Sequence, residues 1–362
     1  MSGLVLGIEL DGDGAHPAAW RAATHVPAGL LTGRLHAERA QAAERAGFAF
    51  ASFADAAVPP SAPEGIRARL DAVQRAAFAA PLTGAIGLVP EAGTVYTEPF
   101  HVATQLASLD HAARGRAGWV ATAQDDPATA SLYGRQGTPG TAADAVEVAR
   151  RLWDSWEDDA VIRDVATGRY LDRDRVHHIR FTGNDYSVVG PSIVPRPPQG
   201  ALPVFGGASL VGSVEVDVAL FDVALAAGAP ADALVAFAAD QATRLRSHGA
   251  LAVLELEVAL DAAGVPAADR VAALDAHTPW AAQHARFTGT GADLAALLAA
   301  LASVVDGVRL HPAVLDVDLP ELAHGVLPRL REGTPLATPR PGDTLRQTLG
   351  LPVAVNRYQE SA

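Results

Sequence analysis

The stretch from Tyr96 to Ala123 constrains this chain most, because it spells a helix, a sharp stop and a buried strand in immediate succession. Pro99 suits the first turn of a helix, where its missing N–H leaves no bond unmade. Val102, Leu106, Leu109 and Ala113 recur at spacings of four, three and four, which makes one helical face apolar. Gly115 permits the turn that ends the helix. Ala117 to Ala123 is then short, apolar and strand-like. In a barrel of alternating strands and helices, the end of such a strand faces the active site.

The rest of the chain repeats this alternation. Leu4 to Leu10, Phe48 to Asp55 and Leu82 to Val89 read as strands, separated by helices over Leu35 to Ala46 and Asp71 to Ala80. Thr141 to Trp156 is helical, with Thr141 and Asp144 in a capping-box pattern. Strands return at Leu202 to Phe205, Val218 to Val223, Ala250 to Leu260 and Val308 to His311. Helices lie between them at Ala231 to Ser247, Ala267 to Ala276 and Ala292 to Val305. Asp318-Leu319-Pro320-Glu321 reads as the start of a further helix. Eight strands alternating with helices predict a (β/α)8 TIM barrel, α/β in class and forming one domain over residues 1–362. The segment 157–200 breaks the rhythm with short β-like pieces and a proline run, and reads as an insertion over the barrel mouth.

Composition narrows the function. Apolar residues make up 49% of the 362, enough for a large core. A net charge of −13 argues against binding nucleic acid or an anionic membrane, both of which need clustered Lys and Arg. The absence of cysteine removes disulfides, thiolate metal sites and a thiol nucleophile, and fits a cytoplasmic location. No secretory leader or membrane span is expected. His177-His178 lacks the helical spacing of a zinc motif, so no metal site is expected. Gly289-Thr290-Gly291 is followed by Leu294 where a dinucleotide fingerprint needs its third glycine.

Several fragments also form a family signature. Glu98-Pro99-Phe100-His101-Val102-Ala103, Leu109-Asp110-His111 and Gly115-Arg116-Ala117-Gly118-Trp119 stand in order, followed by Leu152-Trp153-Asp154-Ser155-Trp156 and Gly207-Ala208-Ser209. The chain resembles the luciferase-like flavin-dependent monooxygenases, in particular the nitrilotriacetate, dibenzothiophene-sulfone and pristinamycin-type subgroup. The resemblance implies an oxidoreductase that uses reduced FMN from a separate flavin reductase, with O2 as co-substrate, on a small organic molecule. It also implies a homodimer.

By the same resemblance, Asp55, Glu91, Gly118, Trp119, Arg135 and Ser209 fall at flavin-contact positions, with Ser209 and Arg135 toward the phosphate. Three have a plainer reading beside that one: Asp55 as a helix cap or loop salt bridge, Ser209 as an N-cap, Trp119 as core. His16 follows the first strand, at the rim where a substrate contact belongs, and is a catalytic candidate together with Glu91. His101 and His111 lie on an outer helix and read as structural. The family places a small hydroxyl where Glu91 stands, an Asn where Val120 stands, and a His and a Tyr where Arg135 and Pro139 stand. These substitutions keep open a second reading, a barrel that has lost flavin and acts as a non-catalytic binding or scaffold protein. A deazaflavin-using relative is a third.

Overall fold

In the computed structural model, which describes residues 3–58, 68–136, 141–224 and 230–359, eight parallel strands close into a barrel. They are β1 (Val5–Glu9), β2 (Phe50–Phe53), β3 (Gly87–Gly93), β4 (Trp119–Thr122), β5 (Val204–Gly207), β6 (Val218–Phe221), β7 (Leu251–Leu260) and β8 (Gly307–Pro312). Consecutive strands are neighbours all round, and the pairings β6–β7 and β8–β1 complete the ring. Helices α1 (Gly33–Ala46), α2 (Ala72–Ala79), α3 (Pro99–Ala113), α4 (Pro127–Tyr133), α5 (Thr141–Asp154), α6 (Ala231–Arg246), α7 (Ala267–Asp275), α8 (Gly291–Leu301) and α9 (Leu315–Glu321) pack outside.

The two-residue period of a strand decides what fills the barrel. Val5, Phe50, Val89, Val120, Phe205, Val218 and Val253 form a dry lower layer. Leu345 and Leu349, from the C-terminal segment, join this cluster and close the barrel's N-terminal end. Phe50 spans that layer because β1 carries Gly7 opposite it, where a Cβ would lie 2.1 Å from the ring. One step higher on each strand the inward positions turn polar: Glu9, Ser52, Glu91, Glu255 and Arg309, then Glu257 and His311. Outward-facing Trp119 meets Trp153 of α5 edge-on, with ring centroids 6.4 Å apart.

Three elements differ from the sequence reading. Strand β3 begins at Gly87 and runs to Gly93, because residues 80–82 form a single helical turn; Glu91 is therefore inside the strand. A ninth strand, Ala285–Gly289, pairs with the far half of β7 outside the closed ring. Helix α9 starts at Leu315, and Asp318 is no N-cap. It is buried inside the helix, accepts hydrogen bonds from the N–H groups of Val314 (2.7 Å) and Leu260 (3.0 Å), and pairs with Arg270 (3.0 Å).

The segment 157–200 forms two small hairpins, Val161–Asp164 with Arg169–Leu171 and Phe181–Thr182 with Ser187–Val188. It is tied to the barrel's flank. Trp156 Nε1 donates to Ser192 O (2.8 Å), and Gln199 Nε2 donates to the buried Asp110 of α3 (2.6 Å). These bonds hold the insertion beside α3 and α5, and it contributes no side chain to the cleft at the mouth.

Candidate functional site

A cleft of about 920 Å³ opens at the C-terminal ends of the strands. Its floor is the polar layer of the barrel. Arg309 grips Glu255 with two bonds, Nε to Oε2 (2.8 Å) and Nη2 to Oε1 (2.6 Å), and reaches Glu9 Oε2 at 3.4 Å. Glu9 also accepts from Ser52 Oγ (2.7 Å) and the Ala54 N–H (2.9 Å). His311 Nε2 lies 2.8 Å from Glu255 Oε2. Burial opposes the charge on Glu255, but Arg309 and His311 overcome it and hold this carboxyl far below the usual range. The same pairing lifts the Arg309 pKa against its own burial. A bidentate buried pair of this kind stays rigid because neither ion has water to fall back on.

Glu91 is the exception on this floor. Its Oε2 accepts the Asp55 N–H at 3.0 Å, and among the described residues no arginine pairs with it. Burial and the neighbouring Glu9 carboxylate push it up to about 7, against the opposing pull of Arg309. Near neutral pH it therefore exists in both charge states.

The walls carry the loops after β1 and β7. His16 is 1% exposed and has both ring nitrogens engaged. Nδ1 accepts the Ala18 N–H (3.0 Å), so Nε2 bears the hydrogen and donates to Asp275 (3.2 Å). Burial lowers its pKa more than Asp275 raises it. Trp280 sits 5.2 Å from the His16 ring and carries the Arg286 guanidinium at 3.5 Å on its face. Arg286 is paired in turn with Glu257 (2.8 Å). On the opposite rim Asp11 binds both Arg69 (2.6 Å) and Arg75 (2.9 Å), leaving one net positive charge there. The chain has no lysine, so each of these cations is a guanidinium that stays charged at any working pH.

Of the residues singled out by sequence, the structure brings His16 and Glu91 together in the cleft. Asp55 turns toward α2, accepting from the N–H groups of Ala56 (2.8 Å) and Ala72 (3.3 Å), and burial raises its pKa. Gly118 lies at the opposite end of β4, packed under Leu345, Phe205 and Val89. Trp119 points outward and donates from Nε1 to Ala92 O (3.0 Å). Arg135 follows α4, donates to Val95 O (3.0 Å) and lies over the Tyr96 ring (5.3 Å). Ser209 is exposed on the turn after β5, beside Gly207, whose Cβ position is open apart from the Ser209 hydroxyl at 3.8 Å. Val120 belongs to the dry lower layer, and Pro139 lies outside the described residues.

Sequence reasoning passed over Glu9, Glu255, Glu257, His284, Arg309 and His311. A signal was present. A parallel barrel strand is normally apolar throughout, yet Leu254-Glu255-Leu256-Glu257 and Arg309-Leu310-His311 alternate. Charged residues at every second position of such a strand must face the barrel interior together. Among the described residues no group of side chains could hold a metal ion, and no helix is long and apolar enough to cross a membrane.

A closed parallel barrel with an ionisable cleft at its C-terminal rim defines the chain as a (β/α)8 protein built on the enzyme plan. The chain belongs to the luciferase-like monooxygenase family, whose model matches residues 16–317. It is 35% identical over 202 residues to N-acetyl-S-(2-succino)cysteine monooxygenase of Bacillus subtilis (strain 168), covering 54% of this chain and 46% of that protein. It is 36% identical over 215 residues to nitrilotriacetate monooxygenase component A of Aminobacter aminovorans, covering 54% and 47%. The chain thus spans about half the length of these curated relatives. Among solved structures it superposes on long-chain alkane monooxygenase with a TM-score of 0.79 at 18% identity, covering 97% of this chain and 96% of the other. It superposes on riboflavin lyase, solved with modified FMN and riboflavin, with a TM-score of 0.78 at 21% identity over 97% and 96%. At such identities the superpositions speak for the fold.

Proposed function

We propose that this chain is a flavin-dependent monooxygenase that uses reduced FMN, delivered by a separate reductase, and O2 to oxygenate a small polar organic molecule in the cleft. The observation that carries the reading is the cleft itself: in a chain of this family, a half-open cleft of about 920 Å³ lies at the rim where (β/α)8 enzymes work. Bound flavin supplies the oxygen-activating chemistry that no side chain here offers.

The residues present fit such a cofactor. Trp20 and Trp280 give the cleft aromatic walls, and the Arg69–Asp11–Arg75 rim carries surplus positive charge. The open Gly207 with the free Ser209 hydroxyl suits a phosphate oxygen. Glu91 tolerates an anionic ring only in its protonated form, and in its charged form it repels one. His16, locked by Ala18 and Asp275, orients the wall and excludes water from it. A homodimer in the cytoplasm completes the proposal.

The test is titration of the purified protein with oxidised and with reduced FMN, followed by visible absorbance and fluorescence. Saturable binding of the reduced form, with O2 consumption in the presence of a reductase, supports the reading. No binding of either form, with the barrel folded, would favour a flavin-free binding barrel.

A further inference from the structure

His311 stands at the C-terminal end of β8, 8% exposed, with one nitrogen committed and one open. Glu255 is ionised and only accepts, so the 2.8 Å contact fixes the ring hydrogen on Nε2. The strand register keeps the pair aligned: Arg309 lies opposite Glu255 and His311 opposite Glu257 on adjacent parallel strands. Arg309 clamps Glu255 from the other side, so the carboxylate cannot swing away. Among the described residues Nδ1 has no hydrogen-bond partner; it is not one of the buried orphaned atoms, and it belongs to a residue that lines the cleft. It therefore presents a lone pair to whatever the cleft holds. His16, with both nitrogens engaged, and His36, whose Nδ1 is sealed from solvent, do not offer this. His284 also lines the cleft with Nδ1 on a carboxylate, but its partner Asp222 is half exposed and unclamped, whereas Glu255 is buried and held by Arg309.

Resting on the monooxygenase reading above, we propose that His311 is the cleft's proton acceptor, taking a proton on Nδ1 from an alcohol, thiol or protonated amine group of the substrate. The proton leaves the substrate heteroatom, whose electron pair stays behind. The positive charge that forms on the imidazole is held by Glu255, an arrangement in which a fixed carboxylate orients and supports a basic imidazole. Glu255 and Glu257 face it from β7, and Glu9 from β1. Arg309 faces it from its own strand, and His284 from the segment before Ala285. The His284 ring lies 4.5 Å from it and is tethered by Nδ1 to Asp222.

The test needs no substrate and no flavin, so it fails or succeeds separately from the monooxygenase reading. In full-length protein labelled at the histidine nitrogens, long-range proton–nitrogen NMR reads the tautomer of each ring. Diethyl pyrocarbonate with peptide mass spectrometry reads which lone pairs are open. The expected result is His311 as the Nε2–H tautomer at alkaline pH, modified readily while His16 stays unmodified. Glu255→Gln, whose amide can donate as well as accept, should mix the two tautomers of the His311 ring. An Nδ1–H tautomer, or a His311 no more reactive than His16, overturns the proposal. Because Glu255→Gln strands Arg309 and is at risk of misfolding, the wild-type tautomer and reactivity decide the matter by themselves.

Discussion

The Asp55 N–H donates to Glu91 Oε2 at 3.0 Å, so a backbone group at the end of β2 holds a carboxyl on β3. Burial, and after it the Glu9 carboxylate, push Glu91 up to about 7 in spite of that hydrogen bond. Its pKa is raised in the folded state. The folded protein therefore keeps a proton that the unfolded chain releases at about 4.5, and stability from this group declines as pH rises from there through 7. Glu91→Gln removes the charged form and keeps an acceptor for Asp55. Relative to wild type, the variant should gain about 1–3 kcal/mol above neutrality and nothing below about pH 4. Urea denaturation at a series of pH values checks this. An equal difference at both ends of the range contradicts it.

His36 works in the opposite sense over the same range. Burial, then the charges of Arg75 and Arg39, pull it down to about 4, while its Nε2 is held by Leu30 O at 2.9 Å. A depressed histidine gives its full stability above about 6.5 and loses it as pH falls toward 4. Wild type should lose roughly 2–3 kcal/mol from this group on acidification, and His36→Gln should not. The two opposing contributions mask each other in wild type. They separate only as differences between variant and wild-type melting curves.

Gly7→Ala places a methyl group against the Phe50 ring at a separation that no relaxed structure allows. Overpacking of this kind typically costs about 1–3 kcal/mol. The double variant Gly7→Ala, Phe50→Leu should recover part of the loss, since a smaller side chain makes room. Thermal melts of the two variants provide the measurement, and additive losses would contradict the contact.

FMN titration tests the proposed cofactor contacts. Glu91→Thr should raise affinity for reduced FMN by about 1–3 kcal/mol, by removing bulk and charge from the cleft floor. Ser209→Ala should lower it by about 0.5–1.5 kcal/mol, the worth of one hydrogen bond. Tight wild-type binding that Glu91→Thr abolishes would make Glu91 a direct ligand contact. An unchanged affinity in Ser209→Ala would remove Ser209 from the phosphate.

What the sequence by itself determined was local and periodic. The run from Pro99 to Thr122 shows its helix, its stop and its strand because each depends on neighbours within a few residues. Eight such alternations leave few closed topologies, and the barrel followed. The sequence reading ends the strand before α3 at Val89, so the place of Glu91 inside it came from the structure. So did its surroundings, since the charges of Glu9 and Arg309 act on it from strands far away in the chain. Tertiary structure alone decided that Glu255 meets Arg309 and His311, because that depends on the register between β7 and β8 around a closed ring. It also turned Trp119 to the helices and Gly118 to the barrel's closed end, although both stand in the most recognisable motif of the chain. A motif fixes which residues are near one another along a strand. Which face they take, and what lies across the barrel, follows only when all eight strands are paired.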